Sequence, residues 1–219
     1  LWDKARAEAI VATCAGKPGV VSEESKPSAS APPQLFDLTS LQREANGRFG
    51  FSAKTTLGLA QALYEKHKVL TYPRTDARAL PEDYIATVKS TLEVIAEDSH
   101  YAPHVKSIQK GGWVKPNKRI FDNSKISDHF AIIPTQQAPR SLSEPEAKLY
   151  DLVVKRFLAI FHPAAEYQVT TRITQVEGEH FKTEGKVLVN PGWLAVYGKS
   201  ATEADAPAGS ACAALGIEG

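Results

Sequence analysis

The sequence contains only two cysteines, Cys14 and Cys212, and no methionine among its 219 residues. Two cysteines are too few for a disulfide framework or a four-cysteine zinc site. Their scarcity favours a reducing cytoplasm as the location. No apolar run approaches the ~20 residues that are needed to span a bilayer, so a membrane partner is not expected.

A strong charge imbalance is also missing, since 26 lysines and arginines face 25 aspartates and glutamates, for a net charge of +1. This balance neither demands nor excludes nucleic acid, because a local basic surface can bind it while the whole chain stays near neutral. The hydrophobic fraction of 42% is that of an ordinary globular core. The length is enough for one large or two small domains.

Residues 70–77, Leu-Thr-Tyr-Pro-Arg-Thr-Asp-Ala, form the most informative segment of the chain. Pro73 pushes Tyr72 toward extended geometry, and in an extended segment the side chains of Tyr72 and Arg74 point the same way. A phenol beside a guanidinium suits attack on a phosphodiester, because the arginine neutralises the phosphate and stabilises charge that develops in the transition state. The alternative is a strand-end tyrosine beside a solvated arginine.

Four segments resemble type IA DNA topoisomerases, especially those of the bacterial topoisomerase III kind, and they follow one another along the chain in the order found in that family. Residues 71–76, Thr-Tyr-Pro-Arg-Thr-Asp, resemble the active-site tyrosine segment of that family. Residues 38–45, Leu-Thr-Ser-Leu-Gln-Arg-Glu-Ala, and 49–56, Phe-Gly-Phe-Ser-Ala-Lys-Thr-Thr, resemble its upstream segments. Residues 128–135, Asp-His-Phe-Ala-Ile-Ile-Pro-Thr, resemble its histidine segment.

The resemblance implies an enzyme in which Tyr72 attacks single-stranded DNA and forms a reversible 5′-phosphotyrosyl intermediate for strand passage. Arg74 would stabilise the phosphate, and His129 would contact a phosphate oxygen. Many family members carry a second histidine directly after the first, but Phe130 stands there in this chain. His129 is therefore expected to act without a paired histidine.

Further DNA contacts are expected along these segments and in a basic stretch at 106–125, where Trp113 and Phe121 are interleaved with cations. Such interleaving fits a nucleic-acid surface, although a solvated loop is an equal alternative. A helix-capping role for Gln42 is as good an interpretation as a DNA contact. Thr75 and Asp76 are also expected to orient Arg74. The candidate DNA-binding residues are Gln42, Arg43, Thr75, Asp76, Thr135, Lys118 and Arg119.

Periodicity and capping patterns predict a helical middle. Thr39 with Gln42 predicts a capping box and a helix over 40–48, and a second helix follows over 53–67. The remaining predictions for the middle are a strand over 68–72, a helix that begins at Pro81, an irregular region over 101–127, and a helix from a Ser143–Glu146 capping box to Phe161.

Toward the two ends the patterns predict a helix over 1–15 that includes Trp2, a short strand at 20–22 and a Ser/Pro-rich linker over 25–33. A β meander is predicted over 167–189, with an added strand over 192–197.

The expected fold class is α+β, with a helical, winged-helix-like tyrosine domain inserted into a β-rich domain. The boundaries are 1–34 for the first part of the β-rich domain, 35–165 for the helical domain, and 166–219 for the return. The resemblance implies that the β-rich domain forms an arch.

The chain begins at Leu1 and has no Asp-x-Asp pattern; its nearest match is Glu203-Ala204-Asp205. Type IA enzymes carry that pattern in a Toprim domain, so we expect the chain to be a central fragment that is inactive alone and holds no metal ligands. The full-length enzyme would use Mg²⁺, join this chain to the Toprim and remaining domains, and act as a monomer at the bacterial nucleoid.

Two alternatives remain. The main one is a non-catalytic winged-helix DNA-binding module in which Tyr72 is structural. A tyrosine recombinase is less consistent with the sequence, because its histidine precedes a late tyrosine, whereas Tyr72 here comes early and His129 follows it.

Overall fold

The computed structural model describes residues 3–198, which form two compact units. One unit contains a helix and an antiparallel sheet, and the other contains Ala31–Ala164 with Gly192–Tyr197. The combination of helices with this sheet confirms the α+β class. The predictions for Trp2 and for Glu203 to Asp205 lie outside the described residues.

The sheet unit starts with helix α1, Lys4–Cys14, which begins at Asp3 because the Asp3 carboxylate accepts from the backbone N–H of Ala5. Strands β1, Val20–Ser30, β2, Ala165–Val176, and β3, Glu179–Asn190, follow in the antiparallel order β1-β2-β3. The turn between β2 and β3 places Glu177 and Gly178 at positive φ, 49° and 83°. Such turns match the twist of a hairpin, and the predicted meander is confirmed.

The predicted linker over 25–33 is wrong over its first six residues. Residues 25–30 belong to β1 and pair with β2, with Lys26 opposite Val169 and Ser30 opposite Ala165. Pro27 is tolerated because β1 lies at the edge of the described sheet, where a missing N–H need not interrupt a ladder. The Ser/Ala/Pro composition indicated a linker, but pairing with β2 overrides it.

The helical unit contains five α-helices within the described residues, joined by extended segments and 3₁₀ turns. Helix α6 forms its centre, with Leu149, Val153 and Phe157 fully buried along one face. None of the helices in residues 3–198 is long and apolar enough to cross a lipid bilayer. The helices are α2, Leu38–Phe49, α3, Ala53–Glu65, α4, Ile85–Ile95, α5, Ala102–Gly111, and α6, Glu144–Ala159.

Capping explains where two of these helices begin. The Glu146 carboxylate accepts from the backbone N–H and the hydroxyl of Ser143, at 2.8 and 2.7 Å, so the capping box predicted for α6 is confirmed. The box predicted for α2 from Thr39 and Gln42 is wrong. Asp37 caps α2 instead, since its carboxylate accepts from the Ser40 N–H at 2.6 Å and the Ser40 hydroxyl accepts from the Asp37 N–H.

Two further predictions are wrong. Residues 101–127 are not irregular throughout, because they contain α5; its Pro103 lies in the first turn, where no N–H donor is needed, and Gly112 ends the helix at φ 59°. The strand predicted over 192–197 is a 3₁₀ helix, Gly192–Tyr197, which buries Leu194 and Val196 in the helical unit.

Candidate functional site

The tyrosine segment is held by hydrogen bonds to residues 131–135. Thr71 N–H donates to the Ile133 carbonyl, and Thr135 N–H donates to the Val69 carbonyl, each at 3.0 Å. The strand predicted over 68–72 is reduced to an isolated bridge between Leu70 and Pro134. The histidine segment therefore lies directly beside the tyrosine segment.

A third extended segment, just before α2, completes this scaffold. Ile132 N–H donates to the Phe36 carbonyl at 2.8 Å, and Leu38 N–H donates to the Thr75 carbonyl at 3.0 Å. Arg156 of α6 donates to the Gln34 carbonyl at 3.0 Å and lies over the Phe36 ring at 4.1 Å. The site thus rests on the buried central helix through residues 34–38.

The backbone bends at Pro73, and from Pro73 to Ala79 the side chains alternate between the core and the solvent. The bend lies between Tyr72 and Arg74, so the shared direction expected for these two side chains stays a prediction. Tyr72 itself is half-buried. The buried side chains are Pro73, Thr75, Ala77 and Ala79, and the exposed side chains are Arg74, Asp76 and Arg78.

Two rings flank Tyr72. The His129 ring lies with its centroid 4.4 Å from that of Tyr72 at an interplanar angle of 47°. Tyr64 of α3 meets Tyr72 edge-on, with centroids 5.4 Å apart and an angle of 75°. The structure therefore brings together the predicted tyrosine and histidine, although more than fifty residues separate them in the chain.

Thr75 fixes the backbone that carries His129. Its hydroxyl donates to the His129 carbonyl at 3.0 Å and accepts from the Ala77 N–H at 3.1 Å. Thr75 is only 8% exposed, so its position favours this structural role over the DNA contact expected from the sequence. Phe130 turns the other way and packs on Tyr84, with ring centroids 4.9 Å apart.

The guanidinium groups of Arg74 and Arg78 lie in different surroundings. Arg78 Nε donates to Asp37 Oδ2 at 2.7 Å. Burial raises the pKa of Asp37, but hydrogen bonds from Arg78 and Ser40 outweigh it and leave that pKa below its ordinary value. Within residues 3–198, no hydrogen bond or ion pair engages the exposed Arg74 guanidinium. Arg74 is therefore free to receive an anion beside Tyr72.

The remaining predicted DNA contacts differ in how far their polar atoms are already engaged. Gln42 Nε2 donates to the Ala53 carbonyl at 3.1 Å, which joins α2 to the start of α3. The Thr135 hydroxyl donates its proton to the Lys68 carbonyl at 2.6 Å. Arg43 and Asp76 are exposed and form no ion pair with other described residues.

The basic stretch is more structural than the sequence suggested. Lys118 pairs with Glu82 at 2.5 Å, and Arg119 donates to the Pro32 carbonyl. Phe121 is 3% exposed and belongs to the core, while Trp113 is half-buried. Phe121 is thus not displayed for base stacking.

Among residues 3–198, no group of three or more His, Cys, Asp or Glu side chains could hold a metal ion. The side chains around Tyr72 are a phenol, an imidazole and a guanidinium, which do not fit the oxygen ligands that Mg²⁺ prefers.

Sequence reasoning missed three residues of the site, namely Tyr64, Lys68 and Arg78. Tyr64 lies in the helix predicted over 53–67 and was given no role in the site, yet its ring contacts Tyr72. Lys68 lies beyond the end of α3 with its backbone in the left-handed region, so helical spacing gave no signal for its contact with Tyr64.

Comparisons with known proteins agree with the segments identified in the sequence. A family model for DNA topoisomerases matches residues 1–212. The chain is 50% identical over 185 residues to a DNA topoisomerase 3 of Bacillus subtilis (strain 168), and 47% identical over 180 residues to that of Bacillus cereus (strain ATCC 14579).

The B. subtilis match covers 83% of this chain but 25% of the relative, so the chain spans about a quarter of the length of the curated relatives it matches. The fold is similar to that of full-length topoisomerase I from Thermotoga maritima, with a TM-score of 0.63 and 23% identity. That alignment covers 91% of this chain and 32% of the other, and at this identity it concerns the fold alone.

Proposed function

The chain belongs to the type IA DNA topoisomerase family, and from this premise we propose that it supplies the tyrosine side of a site that cleaves single-stranded DNA. The observation that carries the proposal is the meeting of Tyr72 and His129, with ring centroids 4.4 Å apart. The unpaired Arg74 on the same extended segment supports it. The main alternative, a non-catalytic DNA-binding module, has no comparable observation in its favour.

The proposed reaction is a reversible transesterification. The Tyr72 hydroxyl oxygen forms a bond to phosphorus while the bond from phosphorus to the 3′ oxygen breaks. The phenol loses its proton and the departing 3′ oxygen gains one, so that a 5′-phosphotyrosyl ester and a free 3′-hydroxyl remain. One phosphate ester replaces another, and the strand can be resealed without an external energy source after another strand has passed.

Arg74 is proposed to hold the non-bridging oxygens of the attacked phosphate. A guanidinium can bind two such oxygens at once, and a preorganised charge of this kind stabilises the transition state. His129 is proposed to donate a further hydrogen bond to the phosphate from its exposed position beside Tyr72. Thr75 keeps His129 in place through the backbone bond described above.

Helices α2 and α3 are proposed to form the winged-helix-like part of the DNA surface. Gly50, at φ 70°, ends α2 and allows the tight turn into α3. Arg43 on α2 presents an exposed cation there. A sequence-independent phosphate contact suits an enzyme that acts on many sites.

The rest of the proposed enzyme lies outside this chain. We propose that an acidic Toprim domain supplies Mg²⁺, that this chain is inactive without it, and that the intact enzyme acts as a monomer at the nucleoid. The matched relatives are about four times longer than the matched segment, which supports this division.

The test is a covalent-capture experiment with the full-length enzyme that contains this chain. A 3′-labelled single-stranded oligonucleotide is incubated with the enzyme, the reaction is stopped with denaturant, and labelled protein is measured. We expect an adduct that vanishes in Tyr72→Phe, because that variant lacks the oxygen that forms the ester. DNA binding should persist.

Tyr84→Phe is the matched control, since it removes a phenol oxygen from a neighbouring half-buried tyrosine and should leave the adduct intact. An adduct that survives Tyr72→Phe would place the nucleophile elsewhere. No adduct from the wild-type enzyme would favour the non-catalytic DNA-binding module.

A further inference from the structure

Lys68 lies between the end of α3 and the tyrosine segment, with its backbone in the left-handed region at φ 59°. Glycine adopts this conformation without steric cost, whereas a residue with a Cβ is strained there. The turn is held by the Thr135 hydroxyl, which donates to the Lys68 carbonyl at 2.6 Å, and by the Val69 N–H, which donates to the Leu63 carbonyl at 2.9 Å. The chain therefore carries a lysine where glycine would fit with less strain.

The side chain of Lys68 is directed toward the tyrosine site. Its Nζ lies 5.9 Å from the centroid of the Tyr64 ring, within the range of a cation–π contact. The same Tyr64 ring meets Tyr72 edge-on at 5.4 Å. Tyr64 thus contacts both the ammonium of Lys68 and the proposed nucleophile.

The Lys68 ammonium is exposed and has no acidic partner among residues 3–198. Some other lysines of the helical unit are neutralised, as in the pairs of Lys125 with Asp122 at 3.0 Å and Lys148 with Glu144 at 2.7 Å. Lys68 differs from the remaining unpaired lysines in its left-handed backbone and its contact with Tyr64. A strained backbone that is kept at a site is a reason to look for a function of its side chain. Here the unpaired Lys68 ammonium lies next to Tyr64, which contacts the proposed nucleophile Tyr72.

We propose that Lys68 binds a backbone phosphate of the single-stranded substrate next to the phosphate that Tyr72 attacks, and that Tyr64 holds the ammonium in position. This inference rests on the function proposed above. A lysine ammonium is a compact charge with three donors on a flexible stem, which suits a phosphate contact that carries no sequence preference.

The first test measures binding of a fluorescent single-stranded oligonucleotide to the full-length enzyme over a range of salt concentrations. Lys68→Gln should weaken binding about three- to tenfold, as expected for the loss of a charge-assisted hydrogen bond at an exposed site. The slope of log K against log salt should become shallower by roughly 0.7, because the loss of one phosphate contact reduces the number of counterions released on binding.

Lys66→Gln is the matched control, since Lys66 is an exposed lysine two residues away that forms no ion pair among the described residues. It should change neither the affinity nor the slope appreciably. Equal binding by the Lys68→Gln and Lys66→Gln variants would overturn the proposal.

A second variant separates the phosphate contact from the fold. Lys68→Gly relieves the left-handed backbone, so the midpoint of thermal unfolding should stay the same or rise, while binding should fall as in Lys68→Gln. Lys68→Arg should retain most of the binding. Wild-type affinity in Lys68→Gly would show that the lysine only occupies a turn, and the proposal would fail.

The adduct assay distinguishes this failure from failure of the proposed function. If wild-type enzyme forms the Tyr72 adduct and Lys68→Gln binds DNA like wild type, only the Lys68 assignment is lost. If wild-type enzyme binds DNA without forming an adduct, the cleavage function is lost, while the salt dependence still decides whether Lys68 contacts a phosphate.

Discussion

Arg74 and Arg78 lie on the same exposed face of the extended segment, but they differ in what restrains them. Arg78 is tied to Asp37, the N-cap of α2, so its charge helps to hold the scaffold. Arg74 has no such partner among the described residues. Only Arg74 can engage a phosphate without first giving up an ion pair, and this difference separates a catalytic candidate from a structural one.

At the residue scale we therefore expect Arg74→Ala in the full-length enzyme to slow adduct formation by a factor of about 10²–10³, or roughly 2.7–4 kcal/mol, by analogy with the loss of one oxyanion donor. His129→Ala should cost less, because a neutral hydrogen bond is weaker than a charge-assisted one. Single-turnover rates of adduct formation with saturating oligonucleotide measure both.

Arg78→Ala provides the comparison for Arg74. It should lower the thermal unfolding midpoint by loosening the Asp37 cap, with little effect on the rate at a temperature where the variant is folded. A rate for Arg74→Ala that matches wild type would remove this arginine from the site and leave the Tyr72 assignment standing.

The sequence was sufficient to select the candidate residues that lie within one contiguous motif. An extended backbone would point Tyr72 and Arg74 the same way, and that prediction needs no tertiary information. Tyr64, Lys68 and Arg78 were missed because their roles depend on contacts between α3, the tyrosine segment and the N-cap of α2. A lysine at positive φ in particular leaves no trace in periodicity or composition.

At the scale of elements, the sequence predicted those helix boundaries that depend only on residues within one turn of the chain. The Ser143–Glu146 box was predictable because all of its partners lie within one turn. Residues 25–30 were misassigned because their strand exists through pairing with β2, which follows much later in the chain. Helix α5 lies within the region predicted to be irregular, because proline and glycine commonly interrupt a helix, whereas Pro103 lies in its first turn and Gly112 at its end.

Glu146 makes the start of α6 sensitive to acid. Hydrogen bonds from the side chain and backbone of Ser143, together with His67 at 3.2 Å, lower the pKa of Glu146 to about 2 from its ordinary 4.5. A carboxylate whose pKa is lower in the folded state stabilises the fold above the unfolded pKa. That contribution should be lost as the pH falls from about 4.5 toward 2.

We accordingly expect Glu146→Gln to lower the free energy of unfolding near pH 7 by about 1 kcal/mol, the usual worth of a helix cap. The difference in the free energy of unfolding between Glu146→Gln and the wild type should shrink as the pH falls below 4.5. Denaturant titrations between pH 7 and pH 3 measure this. Glu144→Gln, in the same turn but with an 80% exposed side chain, should change the pH dependence less; an equal effect would argue against the capping explanation.

At the scale of the whole molecule, most of the helical unit, Ala31–Ala164, occupies the stretch of chain between β1 and β2, and Gly192–Tyr197 joins it from beyond β3. The sheet therefore forms only when β1, which precedes that stretch, pairs with β2, which follows it, as Val20 does with Gln175. The helical unit, by contrast, contains the tyrosine, its flanking rings and the helix that supports them. Every contact described for the site is made within this one unit.

The net charge of +1 sets what the isolated chain should do with DNA. No general excess of positive charge favours binding, so we attribute the expected affinity to individual unpaired cations of the helical unit. If Lys68, Arg74 and Arg43 each meet one phosphate, the slope of log K against log salt should be about −2, since each phosphate contact on a single strand contributes roughly −0.7. Fluorescence anisotropy with the isolated chain should therefore show weak binding that fades above physiological salt.

The same isolated chain should not relax supercoiled plasmid in the presence of Mg²⁺, because the proposed acidic domain is absent from it. Tyr72→Phe should bind the oligonucleotide as wild type does, since the phenol oxygen takes part in ester formation and not in phosphate binding. Relaxation by the isolated chain would show that a metal site lies within these residues. A salt slope near zero would show that the unpaired cations around Tyr72 do not form the DNA surface.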